Sequence, residues 1–242
     1  MRKFGLIGKP LTHSFSKKYF EEKFDREQLG GCRYRLFELQ TIKDFPLLVS
    51  SIPDLIGLNV TIPYKESVIA YLHDLSAEAK EIGAVNCIKF SEGRLIGHNT
   101  DYYGFEISLT PFLTKTIEQA FILGSGGSSK AVEFVLNRMD IPFVKVSRHA
   151  SGDCISYRDI PAIMKSGNLF INTTPLGMFP DVNSSPAIPY HLLSKNDFLF
   201  DRIYNPAQTE FLKKGKAQGA QTKNGLEMLE LQAEKSWEIW NS

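Results

Sequence analysis

The chain has 242 residues, 43% of them hydrophobic, enough for one large packed domain or two modest ones and inconsistent with a disordered chain. Its 28 basic and 27 acidic residues leave a formal charge of +1, and no long run of like charge suggests a nucleic-acid or membrane surface. A small neutral or anionic ligand is therefore expected.

In chain order, "KFGLIG" reads as a strand, and its apolar run ends at Lys9, too early for a secretory leader or a membrane span. "SKKYFEEKFDREQL" reads as a helix, "RYRLFEL" as a strand, "IKDFPLLVSS" as a helix and "LIGLNVTI" as a strand. This alternation predicts a mostly parallel sheet with helices on its faces. A helix is expected from about Lys65 to Ile82, then strands at "AVNCIKF" and "RLIGHNT" joined as a hairpin by "SEG". The first unit is expected to close near residue 101. A second α/β unit follows, with a helix around Tyr103 to Leu113, strands at "AFIL", "PFVKVS", "NLFINT" and "DFLFD", and a helix at "AVEFVLNRM". After "GAQTKNG", the stretch "LEMLELQAEKSWEIW" is an amphipathic helix expected to pack back onto the first unit. The expected fold is thus α/β, with residues 1–101 and 225–242 in one domain and 102–224 in a Rossmann-like, dinucleotide-binding one.

Cys32, Cys87 and Cys154 form no C-x-x-C pair and have no histidine at ligand spacing, so neither a disulfide framework nor a metal is expected. A reducing cytoplasm suits them. In such a compartment the sequons at Asn59, Asn172 and Asn183 are chance matches.

"FILGSGGSSKA" places Gly124, Gly126 and Gly127 between a strand and a helix. Glycines there let the backbone approach a pyrophosphate, and the first N–H groups of the helix, with Ser128 and Ser129, attract its charge. An ordinary tight turn is the other reading, because the order is G-x-G-G rather than G-x-G-x-x-G. The next strand ends at Ser147, Arg148 and His149, where an NAD-selective fold offers an acidic side chain to the ribose. A guanidinium suits a 2′-phosphate instead, so NADP is the expected cofactor.

In "GLNVTIPYKE" alternation puts Leu58, Val60 and Ile62 on one strand face and Asn59 and Thr61 on the other, near the carboxyl end where open α/β sheets bind ligands. Pro63 ends the strand and leaves Lys65 at the mouth of that crevice; the alternative is a capping Asn59 and a solvated Lys65. Ser14 and Ser16 in "LTHSFSK" either face a ligand together or cap the following helix. Asn86 and Asp101 add an amide and a carboxylate where the two units meet, a usual place for a reactive site. "YFEEK" at Tyr19 and Lys23 mimics a Y-x-x-x-K catalytic motif but precedes the glycine loop, so a helix surface is the better account.

"GKPLTHSFS", "NVTIPYK", "GAVNCI", "GHNTDYYG", "LGSGGSSKA", "NTTPLGM", "DRIYNPAQTEFL" and "NGLEMLELQ" occur in an order and spacing that resembles the shikimate dehydrogenase family over nearly the whole chain. The resemblance implies NADPH-dependent reduction of 3-dehydroshikimate to shikimate, in the pathway to aromatic amino acids. It implies a catalytic pair, Lys65 and Asp101, and substrate contacts from Ser14, Ser16, Asn59, Thr61, Asn86, Tyr204 and Gln232. It assigns the cofactor to Gly124, Ser125, Gly126, Gly127, Ser128, Ser147 and Arg148, with Thr173, Gly225 and Met228 nearer the nicotinamide. Met228 and Gln232, four apart, share one helix face. Monomer and homodimer both stay open. The chain departs from the family's usual pattern at Lys17, where proline is common, around Arg148, where N-R-T is common, and at Arg202, where an apolar residue is common.

In that mechanism Lys65 supplies charge and a proton to a ketone oxygen as it becomes an alkoxide, and Asp101 binds a ring hydroxyl. Hydroxyls and amides around the ring suit a polyhydroxylated substrate, because an analogue lacking one hydroxyl would leave a buried partner unpaired. The two serines would meet the substrate carboxylate. The rival readings are a quinate or quinate/shikimate dehydrogenase and a non-catalytic NADP-binding protein. A methylenetetrahydrofolate dehydrogenase shares the two-domain plan, but its P-G-G-V-G-P stretch is missing here.

Overall fold

The structure, a computed structural model, describes residues 1–11, 14–148 and 152–242. By its internal contacts the chain divides into two compact units, Met1–Tyr103 with Gln232–Ser242, and Gly104–Leu231.

The first unit contains β1 (Arg2–Gly8), α1 (Phe15–Arg26), β2 (Cys32–Glu38), α2 (Phe45–Ser51), β3 (Leu55–Val60), β4 (Asp74–Leu75), α3 (Ala77–Ile82), β5 (Cys87–Ser91) and β6 (Arg94–His98). Its sheet runs β2-β1-β3-β5-β6-β4. The β1–β2, β1–β3 and β4–β6 pairs are parallel, while β5 is antiparallel to both neighbours. The hairpin expected at "SEG" forms, with Glu92 and Gly93 both at positive φ (52° and 76°), as a tight two-residue turn requires.

Strand alternation assigns the two faces of this sheet. Leu58 and Val60 of β3 join Ile7, Phe45 and Val68 in one core, while Phe4 and Leu6 of β1 join Phe20, Phe24, Tyr34, Ala233 and Trp240 in the other. Each fully buried phenylalanine there contributes roughly 2–3 kcal/mol of transfer free energy. The second core is closed by the end of the chain: Trp240 lies against Gly57, stacks on Phe4 at 5.0 Å and donates its indole N–H to the Ile88 carbonyl at 3.0 Å.

Several local expectations differ from what forms. Residues 65–82 are not one helix: a 3₁₀ turn at Ser67–Tyr71 leads to β4, and α3 begins only after Ser76, whose hydroxyl accepts from the Ala79 N–H at 3.2 Å. Sheet pairing prevails there, because His73 and Ser76 donate their N–H groups to Leu95 and Gly97. Strand β3 stops at Val60, so Thr61 lies beyond it and Ile62 is 63% exposed instead of sharing the buried face of Leu58. Tyr19 and Lys23 are no helix surface either. Lys23 is 4% exposed, bonded at 2.7 Å to both Glu27 and Glu234, and the Tyr19 hydroxyl also reaches Glu234.

Helix α4 (Asp101–Leu109) starts two residues before the expected position and gives way to a 3₁₀ turn, Thr110–Phe112. The second unit then contains β7 (Gln119–Leu123), α5 (Gly127–Arg138), β8 (Phe143–Ser147), β9 (Cys154–Ser156), α6 (Ile160–Ile163), β10 (Asn168–Asn172), β11 (Phe198–Asp201), α7 (Glu210–Ala217) and β12 (Gln221–Lys223). Strands β9 and β12 were not expected. The sheet runs β12-β11-β10-β7-β8-β9 with every pair parallel. That order is the doubly wound one, reversing direction between β7 and β10, and ligands bind such sheets outside the carboxyl ends of the strands at that reversal. β10 is buried throughout, as a central parallel strand covered on both faces must be. Helix α8 (Leu226–Asn241) begins in this unit and ends in the first. Among the described residues, no helix is long and apolar enough to cross a membrane.

Candidate active site

In the first unit, the backbone that carries Lys65 is fixed on both sides. The buried Tyr64 donates its hydroxyl to the Leu39 carbonyl at 2.7 Å, and the Lys65 carbonyl accepts from the Val85 N–H at 2.7 Å. Its ammonium donates to Asp101 Oδ2 at 2.5 Å, across 36 positions of sequence, with side chains only 12% and 9% exposed. Lys65 is therefore not a solvated lysine. Asp101 is the first residue of α4, and Asn99 holds it there: Asn99 Oδ1 accepts from the Asp101 and Tyr102 N–H groups, and its amide donates to the Ala84 carbonyl.

Asn86 links this pair to the rest of the unit. Its Nδ2 donates to Asp101 Oδ1 at 3.0 Å and to Thr100 Oγ1 at 3.0 Å, and lies 3.4 Å from Gln232 Oε1, while its Oδ1 accepts from the Thr100 N–H at 2.6 Å. Thr100 also lies 3.2 Å from the Ser236 hydroxyl, and Ser236 accepts from Asn59 Nδ2 at 2.9 Å. Asn59 Nδ2 donates as well to the Asn86 carbonyl, and Asn59 Oδ1 accepts from the Tyr34 hydroxyl at 2.8 Å. The strand tolerates a buried Asn59 because both amide protons and the carbonyl have partners, so it carries no desolvation penalty for unmet groups. Burial holds the Tyr34 hydroxyl well above its usual titration range, opposed by the nearby Ser16 side chain.

Ser14 occupies the N-cap of α1, with extended backbone (φ −73°, ψ 119°), yet makes no capping hydrogen bond with its side chain. Its hydroxyl oxygen is buried and has no hydrogen-bond partner among the described residues. A buried hydroxyl in that state costs about 1–3 kcal/mol unless something completes it, and Ser14 does not cap α1 through its side chain. Thr61 is half-buried and pinned through its backbone to Ile7 and Tyr64. Lys17, the departure at the start of α1, is exposed and ion-paired with Glu21 at 3.8 Å.

Sequence reasoning missed Tyr34, Asn99, Thr100 and Ser236 as members of this network. Asn99 and Thr100 stand inside "GHNTDYYG", where only Asp101 was singled out. Tyr34 and Ser236 give no local signal, because strand register and the returning α8 bring them in. His98, in the same stretch, has its basicity lowered by burial and by the nearby Lys89. Cys87 is a buried thiol whose titration is pushed up to about 12 by burial, so it is unreactive.

In the second unit, β7 leads into the glycine loop. Gly124 has φ +114°, and a Cβ there would lie 2.7 Å from Thr173 Oγ1, itself donating to the Leu123 carbonyl at 2.8 Å. Gly126 caps α5 with no side-chain hydrogen bond, and no atom lies within 4 Å of where its Cβ would be. Gly126 therefore leads into the three-turn helix α5 with no capping side chain and with open space on its own Cα, which fits a backbone that approaches an anionic phosphate group. Ser125 and Gly126 are exposed, and Gly127 and Ser128 are half-buried. Ser129 differs from expectation: it is 2% exposed, and its hydroxyl is bonded to the Gly126 carbonyl and to Glu133.

Ser147 ends β8 and Arg148 follows it with an exposed side chain, close enough to Tyr157 that its charge opposes the rise that burial gives the Tyr157 hydroxyl. His149 lies outside the described residues. Arg202 follows β11, and its guanidinium donates to the Ser128 carbonyl at 3.4 Å. Gly225 donates to the Ile203 carbonyl, and a Cβ on it would sit 2.2 Å from the Arg202 carbonyl oxygen. Met228 is 4% exposed, and Tyr204 is half-buried, with burial raising its hydroxyl. The structure therefore brings Lys65, Asp101, Asn86, Gln232 and Asn59 into one network of the first unit, with Ser16 beside its Tyr34. It gathers Gly124 to Ser128, Thr173, Gly225 and the backbone of Arg202 at the carboxyl end of the second sheet. Among the described residues, no three acidic, histidine or cysteine side chains come together to hold a metal.

Residues 6–88 match the family described as the shikimate dehydrogenase substrate binding domain. A shikimate dehydrogenase (NADP(+)) from Clostridium beijerinckii is 40% identical to the chain, over 99% of it and 92% of the relative. The crystal structure of shikimate dehydrogenase 1 from Peptoclostridium difficile has a TM-score of 0.84 at 37% identity, covering 100% of this chain and 92% of that one. A Thermus thermophilus shikimate 5-dehydrogenase in complex with NADP(H) and shikimate has a TM-score of 0.87 at 28% identity, covering 99% and 93%.

Proposed function

The chain belongs to the shikimate dehydrogenase family, and from that premise we propose that it interconverts 3-dehydroshikimate and shikimate with NADPH and NADP⁺ as the cofactor pair. The observation that carries the chemistry is the buried contact between Lys65 and Asp101. The nicotinamide supplies the hydride when the ketone is reduced and takes it back in the reverse direction.

Lys65 meets the negative charge that develops on the ketone oxygen, gives it a proton as the alkoxide forms, and regains one from water. Because little solvent reaches the pair, this charge–charge interaction is worth more than it would be in water. Asp101 holds the ammonium in place and accepts from a ring hydroxyl. Asn86, bonded to Asp101, and Gln232 offer amide groups to the other hydroxyls, and Ser14 and Ser16 receive the carboxylate. Asn59 must exchange one of its internal bonds to touch the ring, so its first role is to hold Ser236 and Tyr34. Thr61 and Tyr204 complete the assignment on the substrate side.

For the cofactor, Gly124, Ser125, Gly126, Gly127 and Ser128 accommodate the pyrophosphate. Ser147 and Arg148 meet the 2′-phosphate, and Thr173, Gly225 and Met228 line the nicotinamide half. The three free cysteines suit a reducing cytoplasm.

The test is an absorbance assay for reduced nicotinamide with shikimate and NADP⁺, repeated with quinate and NAD⁺. Shikimate with NADP⁺ is expected to be turned over fastest. Faster turnover of quinate with NAD⁺ would reject the substrate assignment, and no turnover with either would reject the enzyme reading.

A further inference from the structure

Arg202 is anchored by its backbone and extends its side chain across the carboxyl end of the second sheet. Its N–H donates to the Asn172 carbonyl at the end of β10, and Gly225 packs against its own carbonyl. In the strand order, β11 is separated from β7 by β10, a span of roughly 10 Å. The guanidinium nevertheless reaches Ser128, in the first turn of the helix that follows β7. The arm therefore lies over the end of β10, along the crevice beside the reversal in strand order where ligands bind such a sheet.

The residues of the loop itself, Gly124 to Ser129, carry no charge. A pyrophosphate brings two negative charges to that loop, against which the helix start offers only partial charges. The bond from Arg202 to the Ser128 carbonyl is long and goes to a neutral acceptor. A phosphate oxygen is the stronger acceptor for a guanidinium, through shorter, charge-assisted and often paired hydrogen bonds.

We propose that Arg202 is a dinucleotide-binding residue whose guanidinium turns from the Ser128 carbonyl onto the pyrophosphate. This deepens the proposed function and rests on it. It also divides the work between two arginines: Arg148 reads the 2′-phosphate and distinguishes NADP⁺ from NAD⁺, while Arg202 acts on the group both dinucleotides share.

The test is equilibrium binding by calorimetry, without turnover, of NADP⁺, NAD⁺ and 2′-AMP to the wild type, Arg202→Leu and Arg202→Lys. Arg202→Leu is expected to weaken NADP⁺ and NAD⁺ by the same factor, about tenfold, and to leave 2′-AMP unaffected. Arg202→Lys keeps the charge and loses the fork, so it should fall between the two. The advantage of the wild type over Arg202→Leu should shrink at high salt, where the screening length falls to about 3 Å. Unchanged or tighter NADP⁺ binding by Arg202→Leu overturns the inference, as does an equal loss for 2′-AMP. A wild type that binds no dinucleotide overturns the proposed function itself, whereas one that binds while Arg202→Leu matches it overturns this inference alone.

Discussion

Asp101 and Asp201 are buried carboxylates, one in each unit, held in opposite ways. Asp101 faces the ammonium of Lys65. Asp201, fully buried at the end of β11, is bonded to neutral groups, the amide of Asn172, the hydroxyl of Thr209 and the N–H of Ile203, with the charge of Arg202 as a smaller influence. Burial pushes its titration up from 3.8 to about 6. The first aspartate is paired with a largely buried cation. The second braces the turn between β11 and α7, whose N-cap is Thr209. In the proposed function the acid with a cation beside it belongs to the site, and the one with only neutral donors is a joint.

The sharpest break of this contrast is Lys65→Ala. It should lower turnover by about a hundredfold to ten-thousandfold, the usual contribution of a general acid, while NADPH binding measured by fluorescence stays unchanged. Parallel loss of binding and turnover would make Lys65 a joint as well.

Next in size is Asp201→Asn. Because the folded protein holds this proton to higher pH than the unfolded chain does, the contribution is most favourable below about pH 4 and is lost as pH rises to about 6, a change on the order of 3 kcal/mol. Urea unfolding should show wild-type stability falling across that window relative to Asp201→Asn, which can keep all three hydrogen bonds without a charge. Identical pH profiles would remove Asp201 from the comparison.

Smaller effects probe how each unit receives its ligand. In the proposed function the first unit receives its ligand with side chains and the second with their absence, so adding one methyl should harm the second. Gly124→Ala, strained at positive φ and pressed on Thr173, should weaken NADP⁺ binding by about ten- to a hundredfold, roughly 1.4–2.8 kcal/mol. Calorimetric titration decides it. Arg148→Ala should weaken NADP⁺ by about tenfold and leave NAD⁺ unchanged, narrowing the preference between them. An equal loss for both would move Arg148 away from the 2′-phosphate.

The central strands, the hairpin, the glycine loop and the pairing of Lys65 with Asp101 could be read in the sequence, because alternation, turn residues and ordered motifs carry them. The segment from Lys65 to Ile82 could not be read correctly. Its apolar spacing suits a helix, but β4 joins β6 through contacts more than twenty residues away, although Ser76 and Gly83 bracket α3 as cap residues do. Strands β9 and β12 have three residues each and no pattern to detect. Lys23 shows the same limit. Nothing in "YFEEK" announces that Glu234, 211 positions later, will close over it and turn a helix surface into an interior.

Trp240 seated on Gly57 bears on the order of assembly at the ribosome. The chain emerges at about 5–20 residues per second, and the first hundred residues leave the exit tunnel well before the aromatic plug that completes their interior. Nascent unit one must therefore wait, with Phe4, Phe20 and Tyr34 incompletely covered, until the last helix is released. A ribosome stalled before residue 233 should display a protease-sensitive amino-terminal half.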